Sequence, residues 1–224
     1  VDSIMRGPDL VGSAPSAVTD GSGTASITIT STIAGTYSID ATIAAVPVDG
    51  SPKSVTFGPG AADASTSSWV VTPPGPITAD GVAAYTATAT ARDAFSNPVP
   101  GAMVTFTVPA QVTASAPSCT ASITGMCSVT FTSTTAGSYT ATAGIGANLI
   151  APNMTLVYVA GAASAGTSTI VAVPTSIPAN GVAASTITVQ LVDAQGNPLT
   201  ASGGLVVMSA SVGTISLTTD NGDG

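Results

Sequence analysis

Apolar and hydroxyl residues alternate with a period of two along several short stretches of the chain. Residues 85–91 are YTATATA and residues 185–191 are STITVQL, so alternate side chains are apolar. This period places the apolar side chains on one face of a strand, and Thr suits the other face because of its high strand propensity. No segment sustains a helical period. Turns rich in Gly, Pro and Asn separate these stretches from further predicted strands at 103–108, 128–132, 139–143 and 155–159.

The chain repeats itself at an interval of about one hundred residues. The segment ADGVAA at 79–84 returns 100 residues later as ANGVAA at 179–184. The segment TSTIAGTY at 30–37 returns 102 residues later as TSTTAGSY at 132–139. These intervals predict three parts: residues 1–60, the C-terminal half of a repeat; residues 61–160, a complete repeat; and residues 161–224, the N-terminal half of a further repeat.

Several short strands in each hundred residues predict an all-β fold of tandem immunoglobulin-like antiparallel β-sandwich domains. Because the first and third parts each match half of a repeat, we expect the chain to be a segment of a longer array. The linkers are short, at 58–60 and 160–162, and the first contains a proline. Short linkers of this kind restrict bending between neighbouring domains.

Composition excludes most catalytic and several binding functions. The 224 residues include no His, three Lys and Arg together, and eleven acids that are all Asp. General bases and nucleophiles are usually His, Glu, Lys, Tyr or Cys, so we predict no catalytic residues and no enzyme. The net charge of −8 argues against nucleic-acid partners. The most apolar stretch, 149–163, is interrupted by Pro and Asn, and no membrane insertion is expected.

The two cysteines, Cys119 and Cys127, occur in the central repeat alone. The positions 102 residues earlier are Ala17 and Ala25, so both cysteines replace alanines together. Joint replacement predicts a disulfide rather than two independent thiols, and closing so short a loop stabilises by about 2.5 kcal/mol. A disulfide in turn indicates an oxidising, extracellular compartment.

A longer combination of motifs carries a family resemblance. The pattern AxGVAAxTxTxxxxDAxxNPxxG at 79–101 is followed by TSTxAGxY at 132–139 and by VYxxG at 157–161. This combination resembles the bacterial immunoglobulin-like (group 1) repeats of the invasin and intimin adhesins. The resemblance implies a β-sandwich spacer in an outer-membrane-anchored or secreted adhesin, with neighbouring repeats as its partners. It supplies no receptor site, because such adhesins bind through specialised terminal domains.

Three aromatic residues have two interpretations each. Tyr37 and Tyr139 follow an Ala-Gly turn at the same phase of their repeats, which resembles the tyrosine corner of Greek-key sandwiches, a structural role. The alternative is a ligand-stacking tyrosine. Trp69 has the aliphatic counterpart Ile170 in the third repeat, which favours a buried or interdomain packing position. The alternative is a hot spot for a partner protein.

Asp and Asn residues form the candidate metal sites. Asp93 with Asn97, and Asp193 with Asn197, flank turns that end in proline, and such side chains bond their own backbone. The alternative is Ca²⁺, which prefers carboxylate and amide oxygens, but several acids within one loop are lacking.

A second acidic cluster lies near residue 220. It looks more like a calcium loop than the first cluster does, but an Asn-Gly hairpin turn is the favoured interpretation. We therefore predict no cofactor, and Ca²⁺ is kept as the alternative at three residues: Asp220, Asn221 and Asp223.

Two functions remain after these exclusions. The first is a structural spacer that holds a distal binding domain away from the bacterial surface. The second is a binding module whose loops or strand edges capture a host protein, a glycan or another copy of the chain. An accessory domain of an extracellular hydrolase is a third, which needs a catalytic domain elsewhere. Few loops carry aromatic or charged clusters special to one repeat, and this favours the spacer.

Overall fold

The computed structural model describes residues 10–12, 18–216 and 219–222 of the chain. In this described part the regular elements are strands, and no helix there is suited to crossing a bilayer. The prediction of an all-β fold is confirmed. We refer below to the first region (residues 10–60), the central region (61–160) and the third region (161–222).

The strands follow the predicted turns and stretches of alternation. Those of the first region are β1 (Leu10–Gly12), β2 (Ile29–Ser31), β3 (Gly35–Ile39), β4 (Thr42–Ile43), β5 (Val46–Pro47) and β6 (Lys53–Phe57). Those of the central region are β7 (Ser68–Thr72), β8 (Ile77–Thr78), β9 (Tyr85–Thr90), β10 (Met103–Thr107), β11 (Thr113–Ala114), β12 (Ser118–Thr120), β13 (Met126–Thr132), β14 (Gly137–Ile145) and β15 (Asn148–Val159). Those of the third region are β16 (Thr169–Val173) and β17 (Thr186–Gln190).

The central region is a two-sheet sandwich. One sheet has five strands in the order β12-β10-β14-β15-β8, and the other has four in the order β11-β13-β9-β7. Neighbouring strands are antiparallel, apart from the parallel pair of β15 and β8. This is the sandwich that alternation with a period of two predicts, because each sheet has one apolar face to bury.

The core of the central region consists of a few aromatic side chains, several Val, Ile and Leu side chains, and many alanines. The ring of Phe106 lies between those of Trp69 and Phe131, with centroids 5.9 and 6.0 Å away. Tyr85 and Tyr158 form a second edge-to-face pair at 5.3 Å. Such pairs add to the free energy of burial alone. The alanines between them are fully or almost fully buried: Ala79, Ala87, Ala89, Ala91, Ala141 and Ala143.

The flanking regions reproduce parts of the central sandwich with the same strand register. In the first region β3 pairs with β6 so that Tyr37 faces Val55, as β14 pairs with β15 in the central region. In the third region β16 pairs with β17 so that Ile170 faces Val189, as Trp69 faces Ala89 between β7 and β9. The sequence repeat is therefore also a repeat of strand pairing.

Candidate functional site at the junctions between regions

The turn after β9 is held by its own side chains. Asp93 Oδ1 accepts hydrogen bonds from the backbone N–H groups of Phe95 and Asn97, both at 2.9 Å. The backbone N–H of Asp93 donates to the carbonyl of Asn97, which closes the turn. Ser96 adopts a left-handed conformation with φ of 68°, and its counterpart is Gly196, which adopts such a φ without steric cost. The sequence predicted this turn. Its two side chains also make hydrogen bonds to residues outside the turn.

The same turn binds the first region. Asn97 Nδ2 donates to the carbonyl of Thr32 at 2.8 Å, and Asn97 Oδ1 accepts from the backbone N–H of Ala34 at 2.8 Å. Asp93 Oδ2 accepts from the backbone N–H of Gly60 in the linker, also at 2.8 Å. Two side chains of the central region thus hold both the linker and a loop of the region before it. We call Asp93 and Asn97 the first clamp.

A second clamp repeats this arrangement one hundred residues later. Asn197 Nδ2 donates to the carbonyl of Thr134 at 3.0 Å, and Asn197 Oδ1 accepts from the N–H of Ala136 at 2.8 Å. Asp193 Oδ2 accepts from the N–H of the linker residue Gly161 at 2.9 Å. The second clamp, Asp193 and Asn197, therefore joins the third region to the central region by the same atoms.

Hydroxyl side chains before the first strand of the central and third regions support the clamps. Thr66 Oγ1 donates to the carbonyl of Asp93 at 2.8 Å, and Thr167 Oγ1 donates to that of Asp193 at 2.7 Å. The next residue in each case, Ser67 or Ser168, accepts from the backbone N–H of the residue before the clamp aspartate. The recurrence of Thr-Ser at an interval of 101 residues is the sequence signal for this role.

Burial and hydrogen bonding act in opposite directions on the clamp carboxylates. Asp93 is 2% exposed and Asp193 is 1% exposed. Burial raises the pKa of Asp93, but hydrogen bonds from Asn97 and from backbone N–H groups outweigh it and hold the pKa at about 2. The pKa of Asp193 is lowered for the same reasons. Both carboxylates are therefore ionised acceptors throughout the neutral range.

The predicted tyrosine corners support the loops that the clamps hold. Tyr37 Oη donates to the carbonyl of Ile33 at 3.0 Å, and Tyr139 Oη donates to that of Thr135 at 3.1 Å. Each acceptor is the residue in the middle of the clamped loop. Each tyrosine thus ties its own loop to its own strand, which presents the loop in a fixed shape to the following region.

The other predicted cluster, near residue 220, forms a turn. Asp220 accepts from Ser202 Oγ and, at 2.8 Å, from the backbone N–H of Gly222. Asn221 lies in that turn, and Asp223 lies outside the described residues. Within 10–12, 18–216 and 219–222, no group of three or more acids and cysteines is placed to hold a metal ion. The absence of a cofactor stays the prediction for this end of the chain, and calcium stays the alternative.

Three further predicted residues join the sheets of the central region. The structure contains the disulfide between Cys119 on β12 and Cys127 on β13, which belong to different sheets. Trp69 on β7 is 2% exposed, and its Nε1 donates to the carbonyl of Pro152 in the opposite sheet at 2.9 Å. Trp69 is therefore a core residue in this structure.

Family models match two segments of the chain. Residues 67–157 match the bacterial Ig-like domain (group 1), and residues 164–224 match invasin domain 3. No curated protein sequence matches the chain significantly.

Solved adhesin structures share the fold. Invasin, a bacterial integrin-binding protein, is 28% identical, with a TM-score of 0.55 over 81% of this chain and 36% of its own. The Escherichia coli adhesin FdeC is 23% identical, with a TM-score of 0.63 over 89% of this chain and 64% of its own. InvD of Yersinia pseudotuberculosis is 19% identical, with a TM-score of 0.57 over 88% and 61%. The chain therefore spans less than two thirds of each of these structures.

Proposed function

Because the chain consists of bacterial immunoglobulin-like repeat domains of the invasin and intimin adhesin family, we propose that it is a stiff spacer in a surface adhesin. In this role it is a non-catalytic stalk segment outside the bacterial cell, in a parent protein that is anchored in the outer membrane or secreted. It holds a distal binding domain away from the cell and mediates attachment indirectly. Its immediate partners are the neighbouring repeats of the same protein.

The observation that carries this proposal is the presence of the same clamp at both junctions. Bending a junction separates Asn97 or Asn197 from the loop of the preceding region, which leaves buried backbone and amide groups without partners. Each such group costs about 1–3 kcal/mol. A hinge built for movement would have exposed, weakly bonded backbone, whereas these junctions place buried side chains across the boundary.

A first experiment tests stiffness in solution. Small-angle scattering of the 224-residue chain is expected to give a narrow distribution of maximum dimension. Replacing both clamp asparagines with alanine, N97A with N197A, should broaden this distribution while the circular dichroism of the central sandwich is retained. The matched control is N180A, an Asn-to-Ala change in the turn before β17, which lies outside both junctions. An unchanged distribution in the double clamp variant would contradict a stiff spacer.

A second experiment tests the spacer role itself. The chain is inserted between an unrelated binding domain and a surface anchor on a displaying cell. We expect the affinity of the soluble fusion for its target to be unchanged and attachment of whole cells to improve with the insert. Binding of the isolated 224-residue chain to host cells or glycans would argue instead for a binding module.

The binding module is the second candidate, and exposed side chains special to the central region favour it. Phe95 is 64% exposed where the third region has Gln195, and Ile123 is 88% exposed where the first region has Gly21. Exposed apolar residues of this kind are typical of contact surfaces. F95Q with I123G separates the two functions, because the spacer role predicts unchanged attachment and the binding role predicts its loss.

A further inference from the structure

The two clamps hold opposite ends of one strand ladder in the central region. The first clamp follows the C-terminal end of β9, and the loop that the second clamp binds follows the C-terminal end of β13. Strands β9 and β13 are antiparallel, and their pairs run from Thr90 with Met126 to Tyr85 with Phe131. The C-terminal ends of the two strands therefore lie at opposite ends of the ladder, and each is held there by a neighbouring region.

A pull between the neighbouring regions loads this ladder in shear. The interstrand hydrogen bonds of an antiparallel pair are perpendicular to the strands. When two such strands are drawn in opposite directions along their axes, the bonds share the load together instead of opening one by one. Strands β9 and β13 contribute six consecutive residue pairs to this resistance. The ladder is therefore placed to bear tension that enters through one clamp and leaves through the other.

The path through the linkers has fewer direct bonds between the strands that it pulls. One linker leads to β7 and the other follows β15, the first and last strands of the central region. Strand β8, which follows β7, pairs with β15 at two positions of this fully described region, Ile77 with Tyr158 and Thr78 with Val159. The Trp69 side chain adds one hydrogen bond from β7 to β15. Tension applied through the linkers alone therefore meets less resistance than tension applied through the clamps.

Strand β13, which the second clamp pulls, is also attached to the second sheet at both ends. Cys127 near its N-terminal end faces Ala89 of β9, and the disulfide joins it to Cys119 on β12 in the other sheet. Near its C-terminal end, the carbonyl of Phe131 accepts a hydrogen bond from Tyr158 Oη at 2.9 Å. A pull on the loop after β13 is thus passed to both sheets of the sandwich.

We propose that tension along an array of these domains passes from clamp to clamp through the β9–β13 ladder, which is the force-bearing element of the domain. This inference rests on the proposed spacer function, because a stalk between a cell and its attachment site is pulled lengthwise. The clamps then do more than resist bending. They direct tension away from the terminal strands and into β9 and β13, the two inner strands of the four-stranded sheet.

Single-molecule force spectroscopy of the whole chain in two pulling geometries tests this path. In the first geometry, handles at the two ends of the chain load both clamps. In the second, handles at Ala61 and Ala160 load the linkers and leave the clamps without tension. At equal constant force, the folded central region should last at least about tenfold longer in the first geometry, because one net hydrogen bond changes a rate by about that factor. Equal lifetimes, or a longer lifetime in the second geometry, overturn the proposal without any substitution.

Substitution of the clamp asparagines identifies the bonds that carry the tension. N97A with N197A should shorten the lifetime in the first geometry to that of the second, and leave the second unchanged. The matched control N180A should alter neither lifetime of the central region. If the double variant shortens both lifetimes equally, the clamps stabilise the fold without directing tension, and the proposal is wrong. These lifetimes do not depend on cell attachment, so their failure is distinguishable from failure of the spacer role, which the display experiment tests.

Discussion

Side-chain volume moves from the first strand towards the second strand of the same pair between the central and the third region. In the central region Trp69 faces Ala89, and Val71 faces Ala87. In the third region the corresponding pairs are Ile170 with Val189, and Ala172 with Ile187, so the larger residue has become smaller and the smaller one larger. The side chains of a cross-strand pair fill the same part of the core, so a smaller residue on one strand can be offset by a larger one on the other. Volume is thus exchanged within each pair, while the Asp and Asn of the clamps stay the same.

The comparison of the two regions also shows that strand pairing and burial of the sheet's apolar face have different requirements. Strand register and clamp are the same in both, yet Ile170 is exposed and Trp69 is buried. Hydrogen bonds between neighbouring strands therefore form this sheet in both regions, whereas burial of its face requires the second sheet. Changes in the core should accordingly affect the central region far more than the third.

The largest difference is expected at the paired core positions. W69A removes a buried ring and its hydrogen bond to Pro152, and should destabilise the central region by about 3–5 kcal/mol. I170A, at an exposed position, should cost less than about 0.5 kcal/mol in monomeric chain. Denaturant unfolding followed by circular dichroism measures both. Equal effects would show that the third region has a closed core of its own.

Compensation between strands gives a sharper form of the same test. W69I alone should destabilise the central region, and adding A89V should recover part of the loss, because the pair then matches the third region. If adding A89V lowers the free energy of unfolding below that of W69I alone, the two residue pairs do not fill equivalent volumes. The measurement is again the free energy of unfolding of each variant.

The disulfide is the next largest difference between the regions. Replacing both cysteines with the alanines of the first region, C119A with C127A, should cost the central region about 2.5 kcal/mol. Two sheets lose their covalent link, while both clamps remain. Thermal unfolding with and without reductant measures the effect, and the alanine variant should no longer respond to reductant. A response that persists would contradict the assignment.

The clamps should respond equally in both regions. N97A and N197A each remove one donor and one acceptor across a junction, with an expected cost of about 1–2 kcal/mol to local opening. Hydrogen exchange of the Ala34 and Ala136 amides is the direct measurement, because these N–H groups donate to the two asparagines. Each variant should accelerate exchange at its own junction and leave the other unchanged. Acceleration at both junctions would indicate coupling through the central sandwich.

The smallest effect is expected from pH. The lowered pKa of Asp93, about 2 against an ordinary 3.8, gives stability that is present above pH 3.8 and lost as pH falls towards 2. Burial and the neighbouring tyrosines raise the pKa of Tyr158 to about 12, so its contribution is complete below about pH 10 and lost between 10 and 12. The melting temperature should therefore be level between about pH 5 and 9. A step near neutrality would be inconsistent with a chain that lacks His.

The strands, the repeat and the cysteine pair could be predicted because each leaves a local or periodic signal. Alternation identified β9 and β17, and an interval of 102 residues aligned Cys119 and Cys127 with alanines. Asp93 and Asn97 were also found, as a turn, because turn chemistry depends on neighbours within four residues. Their bonds to Thr32 and Ala34 could not be found in the same way, because those residues are more than sixty positions away. A contact across a junction joins residues far apart in the sequence, and no local pattern in one sequence marks such a pair. The recurring Thr-Ser before β7 and β16 is visible in the sequence, but its role is clear only once the contacts are known.

The clamps bind backbone atoms of the preceding region and its linker. This has a consequence for genes that encode tandem repeats and that gain or lose whole repeats. Asn97 and Asn197 contact a carbonyl and an N–H of the preceding loop, and Asp93 and Asp193 contact the N–H of a linker glycine. No side chain of the preceding region takes part in these bonds. In-register recombination that deletes or duplicates one whole repeat therefore recreates an intact junction at the point of exchange. Core residues can diverge between repeats, as Trp69 and Ile170 have, without changing the atoms that the clamps bind.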